Sequence, residues 1–527
     1  LFFAVIAMFY TTAVTVKMLP YDNKAEFAVV IDMPEGTALP ATSNMARELA
    51  EKLREIPEVT ALQTYAGTAR PFDFNGMVRH YYLRTDPWLA EIQVQLTHKS
   101  ERSRSSHEIA EEARALLTPI AQTDGAKLTV AEMPPGPPVV QAVVAEIYGP
   151  DAATRRQVAS DMTAMFEATD GLADVDNYMS QPYEAWRFVI DTQKASTKGV
   201  SPSTVIETLS TAMGDYKITD VREGSALEPT WIVIEAPLAL RANPKALSDL
   251  PIPAPGGSTL PLAELGSFER IQEDPIIYHK DLRPLEYVVG DAVGRLGAPI
   301  YPMAKIDEKL ADYVTPDGQT ISGTMMGKPE DNGLSAFEWA GEWTVTYETF
   351  RDMGAAFAVA LVLIYMLVVG MFGNFLVPAI IMAPIPLTLL GIVPGHWLVS
   401  LLSGSNAYFT ATSMIGFIAL AGIIVRNSIL LVDFAVEETR KGIDVREAVI
   451  RSCKARTRPI MITAFALIGG ASVILTDPIF QGMAISLMFG VFVSTVLTLL
   501  VIPLGCVSAS DSLREIAAAR DGEAAKT

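Results

Sequence analysis

The sequence predicts an α+β membrane protein, in which a bundle of membrane helices carries a large part built of alternating strands and helices. Half of the 527 residues are apolar, and the mean hydropathy is +0.27, which is not typical of an ordinary soluble enzyme. The charge is uneven: residues 1–352 hold 50 of the 60 acidic and 30 of the 41 basic side chains, which leaves 10 and 11 for residues 353–527. Long apolar runs in this second region have the length that crosses a bilayer.

The composition also excludes several classes of function. A formal net charge of −19 argues against nucleic acid as a partner. Two cysteines are too few for a disulfide framework or a cysteine-based zinc site. His107 and Glu108 begin like a zinc-protease motif, but the second histidine is replaced by Glu111, and the pair Gly327-Lys328 lacks the glycine of a phosphate-binding loop. We therefore predict a protein that is not an enzyme and that needs no metal or other cofactor.

Six membrane crossings are predicted. The five complete ones lie at 353–372, 375–402, 409–434, 459–476 and 479–507. The opening run 1–16 is shorter than the roughly 20 residues that cross a bilayer core. We expect it to be the rest of a truncated helix, so that the chain would be the C-terminal part of a longer protein. Four aromatic residues before the first complete span predict a belt at the membrane interface: Trp339, Trp343, Tyr347 and Phe350.

The orientation follows from the basic residues outside the spans. The predicted loop 437–458 holds seven Lys and Arg side chains, whereas the loops near Gly404 and Asp477 hold none. The positive-inside rule places the basic loop in the cytoplasm. Residues 21–345 would then lie on the opposite side, which is the periplasm in a Gram-negative cell, and the protein would be a multi-pass inner-membrane protein with a large periplasmic domain.

The acidic region predicts two similar units. The elements of the first are strand 26–33, helix 41–56, strand 59–65, strand 90–97, helix 103–117 and strand 127–133. This β-α-β-β-α-β order is typical of a split βαβ, or ferredoxin-like, sandwich. After the proline-rich joint 134–138, a second series follows: strand 140–148, helix 152–168, strand 173–178, strand 285–291 and helix 301–313. The Pro- and Gly-rich stretch 183–275 between them predicts an inserted subdomain.

One charged residue, Arg426, lies near the middle of the third complete span. An intramembrane guanidinium costs about 2.5–3.5 kcal/mol even on the lenient insertion scale, and such charges are usually functional. Residues at spacings of three and four share its helix face: Gly416, Ala419, Gly422, Leu430 and Asp433. The small ones allow another helix to approach closely, and Asn427 adds an amide beside the face. We expect an anionic partner outside this chain, in an ion relay or in a purely structural ion pair.

Two runs around this residue resemble a known family. Residues 422–434 (GIIVRNSILLVDF) and 456–463 (RTRPIMIT) are similar to the tenth and eleventh membrane helices of resistance-nodulation-division (RND) efflux permeases, closest to the hydrophobe/amphiphile, acriflavine-resistance branch. The resemblance implies a secondary active transporter, a proton antiporter, in which Arg426 faces two aspartates of the fourth helix. Those aspartates would belong to the N-terminal half of the permease.

The resemblance also implies roles for neighbouring residues. Thr463 matches a hydroxyl of the proton relay, although a helical threonine also bonds its own backbone. Arg456 matches a basic residue at the cytoplasmic entrance, although it would equally serve as a positive-inside anchor. The family position of Arg426 is commonly lysine, and arginine is not deprotonated in proteins. Protons would therefore bind the carboxylates while Arg426 changes contacts.

The family implies the following organisation: a truncated helix 1–20, a first porter subdomain 21–138, a second porter subdomain 139–182 and 276–345, a docking insert 183–275, a five-helix membrane domain 346–507 and a cytoplasmic tail 508–527. The expected partners are the N-terminal half, two further copies in a homotrimer, a periplasmic adaptor (membrane fusion) protein, an outer-membrane channel and a lipophilic small-molecule substrate.

The segment 67–84 is the predicted substrate contact. It combines Gly, Pro and Asn with aromatic side chains between two strands, which suits loose apolar recognition, and it resembles the family's switch loop. We predict Phe72 and Phe74 as contacts, with Met77 and Met133 as adaptable apolar surface. Three alternatives stay open: a soft-metal exporter with thioether ligands, a non-transporting membrane anchor for a periplasmic binding or assembly module, and an intramembrane hydrolase.

Overall fold

The computed structural model describes residues 2–71, 73–133, 136, 139–214, 216–222, 224, 229–331, 333–404 and 406–524. The chain forms two compact units. The larger comprises Leu1–Met179 with Ile277–Thr527, and the smaller comprises Ser180–Ile276.

The first part of the larger unit is a four-stranded sheet covered by helices. Its elements are α1 (Phe2–Tyr10), β1 (Glu26–Asp32), α2 (Leu39–Leu53), β2 (Val59–Ala66), α3 (Phe74–Val78), β3 (Leu89–Leu96), α4 (Ser106–Thr123) and β4 (Lys127–Ala131). The sheet order is β2-β3-β1-β4, and all neighbours are antiparallel. Val29 lies opposite Ile92 of β3 on one side and opposite Val130 of β4 on the other. These three side chains pack with the apolar faces of α2 and α4.

The second face of this sheet is also covered. Strand β1 is buried on both faces, which explains its unbroken apolar run. Ala28, Val30 and Ala131 on this second face pack against Tyr81 of the segment 67–84, which includes α3 and a 3₁₀ turn at Tyr81–Leu83. The segment therefore lies over the sheet and is not a free loop.

A second sheet begins with β5 (Val143–Tyr148), α5 (Ala152–Glu167) and β6 (Leu172–Asn177). The smaller unit then interrupts it with β7 (Glu184–Ile190), α6 (Thr192–Thr197), α7 (Pro202–Met213), β8 (Lys217–Asp220), β9 (Trp231–Val233), α8 (Leu238–Arg241), α9 (Pro244–Leu247), β10 (Pro251–Pro253), β11 (Thr259–Pro261) and β12 (Gly266–Gln272). Within the smaller unit, β7 pairs with β12, β8 with β9, and β10 with β11, all antiparallel. Its core includes Val205, Ile252 and Leu262.

The second sheet is completed by β13 (Tyr278–Lys280), β14 (Arg283–Ala292), α10 (Ile300–Leu310), β15 (Gly323–Thr324) and β16 (Ala336–Ala340). The strand order is β13-β14-β5-β16-β15, and β6 pairs with β14. Trp339 on β16 is fully buried and donates a hydrogen bond from its indole nitrogen to Asp307 at 3.2 Å. Its assignment to an interfacial aromatic belt was wrong, because a short strand precedes the first membrane helix.

The remaining helices follow the second sheet and include the apolar stretches of the chain. They are α11 (Glu342–Phe372), α12 (Leu376–Met382), α13 (Pro384–Leu387), α14 (Leu389–Ser403), α15 (Ala411–Arg440), α16 (Val445–Ser472), α17 (Gln481–Ser508) and α18 (Ser510–Ala524). Among the described residues, four helical stretches are long and apolar enough to cross a membrane: Glu342–Phe372, Leu376–Ser403, Ala411–Arg440 and Gln481–Ser508. The stretch from α12 to α14 is interrupted on both sides of the short helix Pro384–Leu387, and bundled membrane helices tolerate such proline-associated breaks.

In this region the structure differs from the predicted number of membrane crossings and from the predicted basic loop. The opening helix α1 has nine residues, and the run 459–476 belongs to the longer helix α16; neither is among the four apolar stretches. The predicted basic loop 437–458 is instead mostly helical, because α15 ends at Arg440 and α16 begins at Val445.

Candidate functional site

Arg426 lies on the side of α15 that the described residues leave uncovered. Helix α15 packs through Ile424 and Leu431 into the membrane core, whereas Arg426 is exposed. A Cβ added at Gly422, one turn before, would meet no atom within 4 Å. The predicted stripe is divided at Gly416, whose added Cβ would lie 2.9 Å from the Ser486 side chain. Gly416 therefore packs within this chain, and the open face begins beyond it.

The guanidinium of Arg426 has no hydrogen bond or ion pair with any residue that the structure describes. Asn427 is half-buried beside it, and Asp433 is half-buried two turns further along the helix. A charge in this position requires an anionic or water-lined partner. The helix thus presents a cation near its middle, on a face where an anionic partner could approach.

The other two predicted relay residues lie on α16. Thr463 is exposed, and its hydroxyl donates to the backbone carbonyls of Ile460 at 2.8 Å and Pro459 at 3.2 Å. The guanidinium of Arg456 lies 5.5 Å from the ring centre of Phe434 on α15. Its Nε is buried and has no hydrogen-bond partner among the described residues. Arg456 therefore joins the two helices through a cation–π contact, while Thr463 satisfies its hydroxyl locally.

Two arginines, Arg70 and Arg84, hold the segment 67–84 on the first sheet. Glu91, on the second face of β3, is only 1% exposed and would be costly to bury alone. Arg70 donates to it from Nε at 2.7 Å, and the Nε of Arg84 lies 3.4 Å from its other oxygen. Arg70 also bonds Asp73 within the segment, at 3.0 and 3.1 Å, and Arg84 bonds Asp32 of β1 at 2.5 Å. Each end of the segment is therefore tied to the sheet by a buried ion pair.

The predicted substrate contacts differ in their surroundings. Phe72 lies outside the described residues. Phe74 and Met77 are 39% and 49% exposed on α3. Met133 is half-buried and lines a small cavity together with Arg70 and Asp73. The structure thus places Met133 at the base of the segment and two apolar side chains on its open surface.

Ion pairs also join the two sheets of the larger unit. Arg114 of α4 bonds both carboxylate oxygens of Asp174 at 2.9 Å, and the backbone N–H of Val130 donates to Asp174 at 3.1 Å. Arg79 of the segment lies 3.5 Å from Asp291 on β14. The segment 67–84 therefore contacts both sheets and lies at their junction.

These paired charges were not identified as site residues from the sequence. A partial signal was present, because Glu91 is the one charged residue of its strand and the aromatic segment 67–84 contains three arginines. Their partners lie between 3 and 212 positions away along the chain, so the pairing required the fold.

An α/β unit of two sheets on a bundle of apolar helices defines a membrane protein with a large extramembrane part. A sequence model of the AcrB/AcrD/AcrF family matches residues 1–507, and the chain therefore belongs to this family of RND efflux permeases. Its fold is similar to that of a heavy metal efflux pump solved by X-ray crystallography, with a TM-score of 0.71 and 21% identity over 95% of this chain and 49% of that one.

Relatives with several stated functions match the sequence. Swarming motility protein SwrC of Bacillus subtilis is 24% identical over 68% of this chain and 32% of that protein. Cation efflux system protein CzcA of an Alcaligenes species is 22% identical over 95% and 46%. Toluene efflux pump membrane transporter TtgB of Pseudomonas putida is 25% identical over 54% and 25%. The chain thus spans less than half the length of these relatives.

Proposed function

We propose that this chain is the C-terminal half of a proton-driven RND efflux permease that exports hydrophobic or amphiphilic small molecules from the inner membrane and periplasm. One observation carries the proposal: Arg426 lies at mid-span on an uncovered helix face, without an ion pair among the described residues. Such a cation needs carboxylates from another part of the assembly. The N-terminal half would provide them.

The chemistry of arginine determines how this relay would work. Arg426 keeps its proton, so the transported proton binds a partner carboxylate. Protonation removes one negative charge from the guanidinium's surroundings, and Arg426 then moves toward the carboxylate that is still ionised. Asn427 would stabilise one of these positions. Arg456 would lie at the cytoplasmic entrance, and the hydroxyl of Thr463 would exchange its backbone bond for a bond to a relay group.

The rest of the chain would couple this relay to export. In the proposed arrangement six helices cross the membrane, and the two sheets act as split-βαβ porter subdomains in the periplasm. The unit Ser180–Ile276 would serve as the docking subdomain. The permease would work as a homotrimer with a periplasmic adaptor protein and an outer-membrane channel, as the family implies.

The proposed substrate contacts are the exposed side chains of α3. Phe74 and Met77 offer apolar surface on a segment that bridges both sheets through Arg79. Aromatic and thioether groups accept varied apolar ligands because they bind through contact area and not through fixed hydrogen bonds. Phe72 and Met133 would extend this surface.

Proton-coupled transport in proteoliposomes tests the proposal. In the full-length permease, Arg426→Ala should reduce coupled export by roughly 100-fold or more, because removal of one partner of a buried ion pair costs about 3–5 kcal/mol. Arg446→Ala is the matched control, since Arg446 is exposed at the start of α16. Equal export by Arg426→Ala and the control would refute the relay.

A soft-metal exporter is the second candidate, because a cation efflux protein and a heavy metal efflux pump are among the similar proteins. Thioether sulfur is a ligand of Cu(I)-like ions. Met77 lies in the segment 67–84, and Met133 lines a cavity together with two residues of that segment, Arg70 and Asp73. Changing both to leucine separates the two candidates. Leucine keeps the apolar surface, so export of a lipophilic dye should persist, whereas a metal exporter would lose metal resistance.

A further inference from the structure

A cavity of about 570 Å³ lies in the larger unit. It is bounded by the start of α4, the end of α14 and the starts of α15 and α17. No predicted relay or substrate residue lines it. Its wall includes the cations Lys17 and Arg295, the rings of Tyr21 and Tyr408, and the carboxylates of Asp22, Glu108 and Glu111.

Three long helices begin at this cavity. Helix α4 starts at Ser106, α15 starts at Ala411 directly after the cavity residue Thr410, and α17 starts at Gln481. They contain 18, 30 and 28 residues. The N-terminus of each helix carries partial positive charge. The first backbone N–H groups are already bonded within the chain: Ser105 donates to Glu108, Ser106 to Asn23, Ala411 to Met18 and Gln481 to Asp477. The helix starts therefore contribute their positive field to the cavity. Their convergence makes the cavity favourable for an anion.

A buried ammonium group adds a full positive charge. Lys17 is only 6% exposed, and its Nζ lies 4.4 Å from the ring centre of Tyr21 and 5.6 Å from that of Tyr408. No hydrogen bond or ion pair joins this Nζ to any residue in the described part of the chain. Among the same residues, Arg295 donates only to the carbonyl and hydroxyl of Thr12, at 3.0 and 3.3 Å. Neither cation of the wall is therefore paired with a carboxylate that the structure describes.

The acidic side chains of the wall already have partners. Asp22 is paired with Lys24 at 2.8 Å, and Glu108 accepts the backbone N–H of Ser105 at 2.7 Å in a capping box. Glu111 lies 3.4 Å from Nε2 of His107.

On its other side, Lys17 borders a smaller cavity that Glu132, Asp291 and Glu342 also line. Glu132 accepts from His107 at 2.7 Å, and Asp291 accepts from the backbone of Ala142 at 3.2 Å. No ion pair links either of them, or Glu342, to Lys17 within the described residues.

We propose that this cavity binds a phosphate-type oxyanion, with Lys17 and Arg295 as its charged ligands and the partial positive charge at the starts of α4, α15 and α17 as further stabilisation. Tyr21 and Tyr408 hold the ammonium of Lys17 in place by cation–π contact. The oxyanion is either the headgroup of an anionic phospholipid or free phosphate. The site does not depend on the proposed efflux function.

Binding to the full-length protein in nanodiscs tests the proposal with two probes. Native mass spectrometry measures retention of phosphatidylglycerol against phosphatidylcholine, and equilibrium dialysis measures radiolabelled inorganic phosphate. Lys17→Gln should weaken binding roughly tenfold or more, because hydrogen bonds to charged groups are among the stronger ones. Lys17→Arg should keep binding, and Lys305→Gln is the matched control because Lys305 is exposed elsewhere on the second sheet's helices.

Two further variants keep the test decisive if Lys17→Gln does not fold. Arg295→Gln removes the second cation from a surface position and should also weaken binding. Glu342→Gln removes a negative charge near Lys17 and should strengthen it. Retention of phosphatidylglycerol identifies a lipid site, and binding of inorganic phosphate alone identifies a soluble anion. Binding of neither probe, or equal binding by the wild type and the Lys17 or Arg295 variants, would overturn the proposal.

Discussion

The arginines of the segment 67–84 and the arginine of α15 differ in how their charge is neutralised. Arg70 and Arg84 are largely buried, and both reach Glu91 of the same chain within 3.4 Å. Arg426 lies at the middle of an apolar helix and has no ion pair among the described residues. The charges of Arg70 and Arg84 are therefore neutralised by a carboxylate of this chain.

The difference indicates what each charge is for. A buried ion pair that closes within one chain fixes the position of a segment, here over the second face of the first sheet. A cation at the middle of an apolar helix, on an uncovered face, has no such partner among the described residues, and we propose that its partner lies in another part of the assembly. Stability should therefore depend on Glu91, whereas transport should depend on Arg426.

The largest expected effect on stability comes from Glu91→Gln. This change leaves two buried guanidinium groups without their shared carboxylate, and loss of one partner of a buried pair costs about 3–5 kcal/mol. Thermal unfolding followed by tryptophan fluorescence can report it, because Trp88 packs against the core of the same sheet. Glu55→Gln is the control, because its pair with Lys52 lies on the surface, where solvent screens the attraction and the unfolding midpoint should hardly move. Equal shifts in the two variants would contradict the pairing.

Asp174→Asn should have a smaller effect, at the junction of the two sheets. The substitution weakens a two-pronged bond from Arg114, and a hydrogen bond to a charged group contributes about 1.5–3 kcal/mol. Limited proteolysis should become faster between the sheets. Asp170→Asn, at an exposed neighbouring position, should leave the rate unchanged. Unaltered proteolysis of Asp174→Asn would show that this pair does not hold the sheets together.

The stability of the first sheet should also depend on pH through His107. Burial acts to lower the pKa of His107, but its hydrogen bond to Glu132 and the charges of Glu132 and Glu111 outweigh this and raise the pKa above its ordinary value. The protonated ring therefore stabilises the fold fully below the unfolded-state pKa of about 6.5, and this contribution is lost as pH rises through the higher folded-state pKa.

Unfolding midpoints measured across this range test the pH dependence. His107→Gln should reduce the decline in stability above about pH 6.5, whereas His98→Gln, at an exposed position that bonds Ser100, should not. Identical pH profiles for the wild type and His107→Gln would refute the assignment.

The smallest expected change in stability belongs to Arg426→Leu in the isolated chain. No bond to a described residue is lost, and substitutions away from such features usually stay within about 0.5 kcal/mol. The unfolding midpoint of the chain in detergent should therefore stay the same or rise slightly. A loss as large as that of Glu91→Gln would show that this chain neutralises Arg426 itself.

The sequence predicted local elements better than contacts. The strand at 26–33 and the helix at 152–168 are observed at Glu26–Asp32 and Ala152–Glu167, because β-branched runs and helical spacing are local properties. The position of Arg426 near the middle of a long apolar helix was also predicted from the sequence, and it lies in α15 as expected. Trp339 was misassigned because a five-residue strand adjoins a membrane helix, and aromatic residues suit both a core and an interface. The partners of Arg70 and Arg84 depend on strand register, which is set by long-range pairing.

The most direct test of the central claim is a distance measurement at Arg426 in the assembled permease. Solid-state NMR with ¹⁵N-labelled arginine and ¹³C-labelled carboxylates can detect contacts of the guanidinium, and Arg426→Lys identifies its signal by loss. The account predicts a side-chain carboxylate from outside this chain within about 4–6 Å of Arg426, close enough to stabilise the charge. A guanidinium with no carboxylate in that range, or one paired only to an acid of this chain, would contradict it.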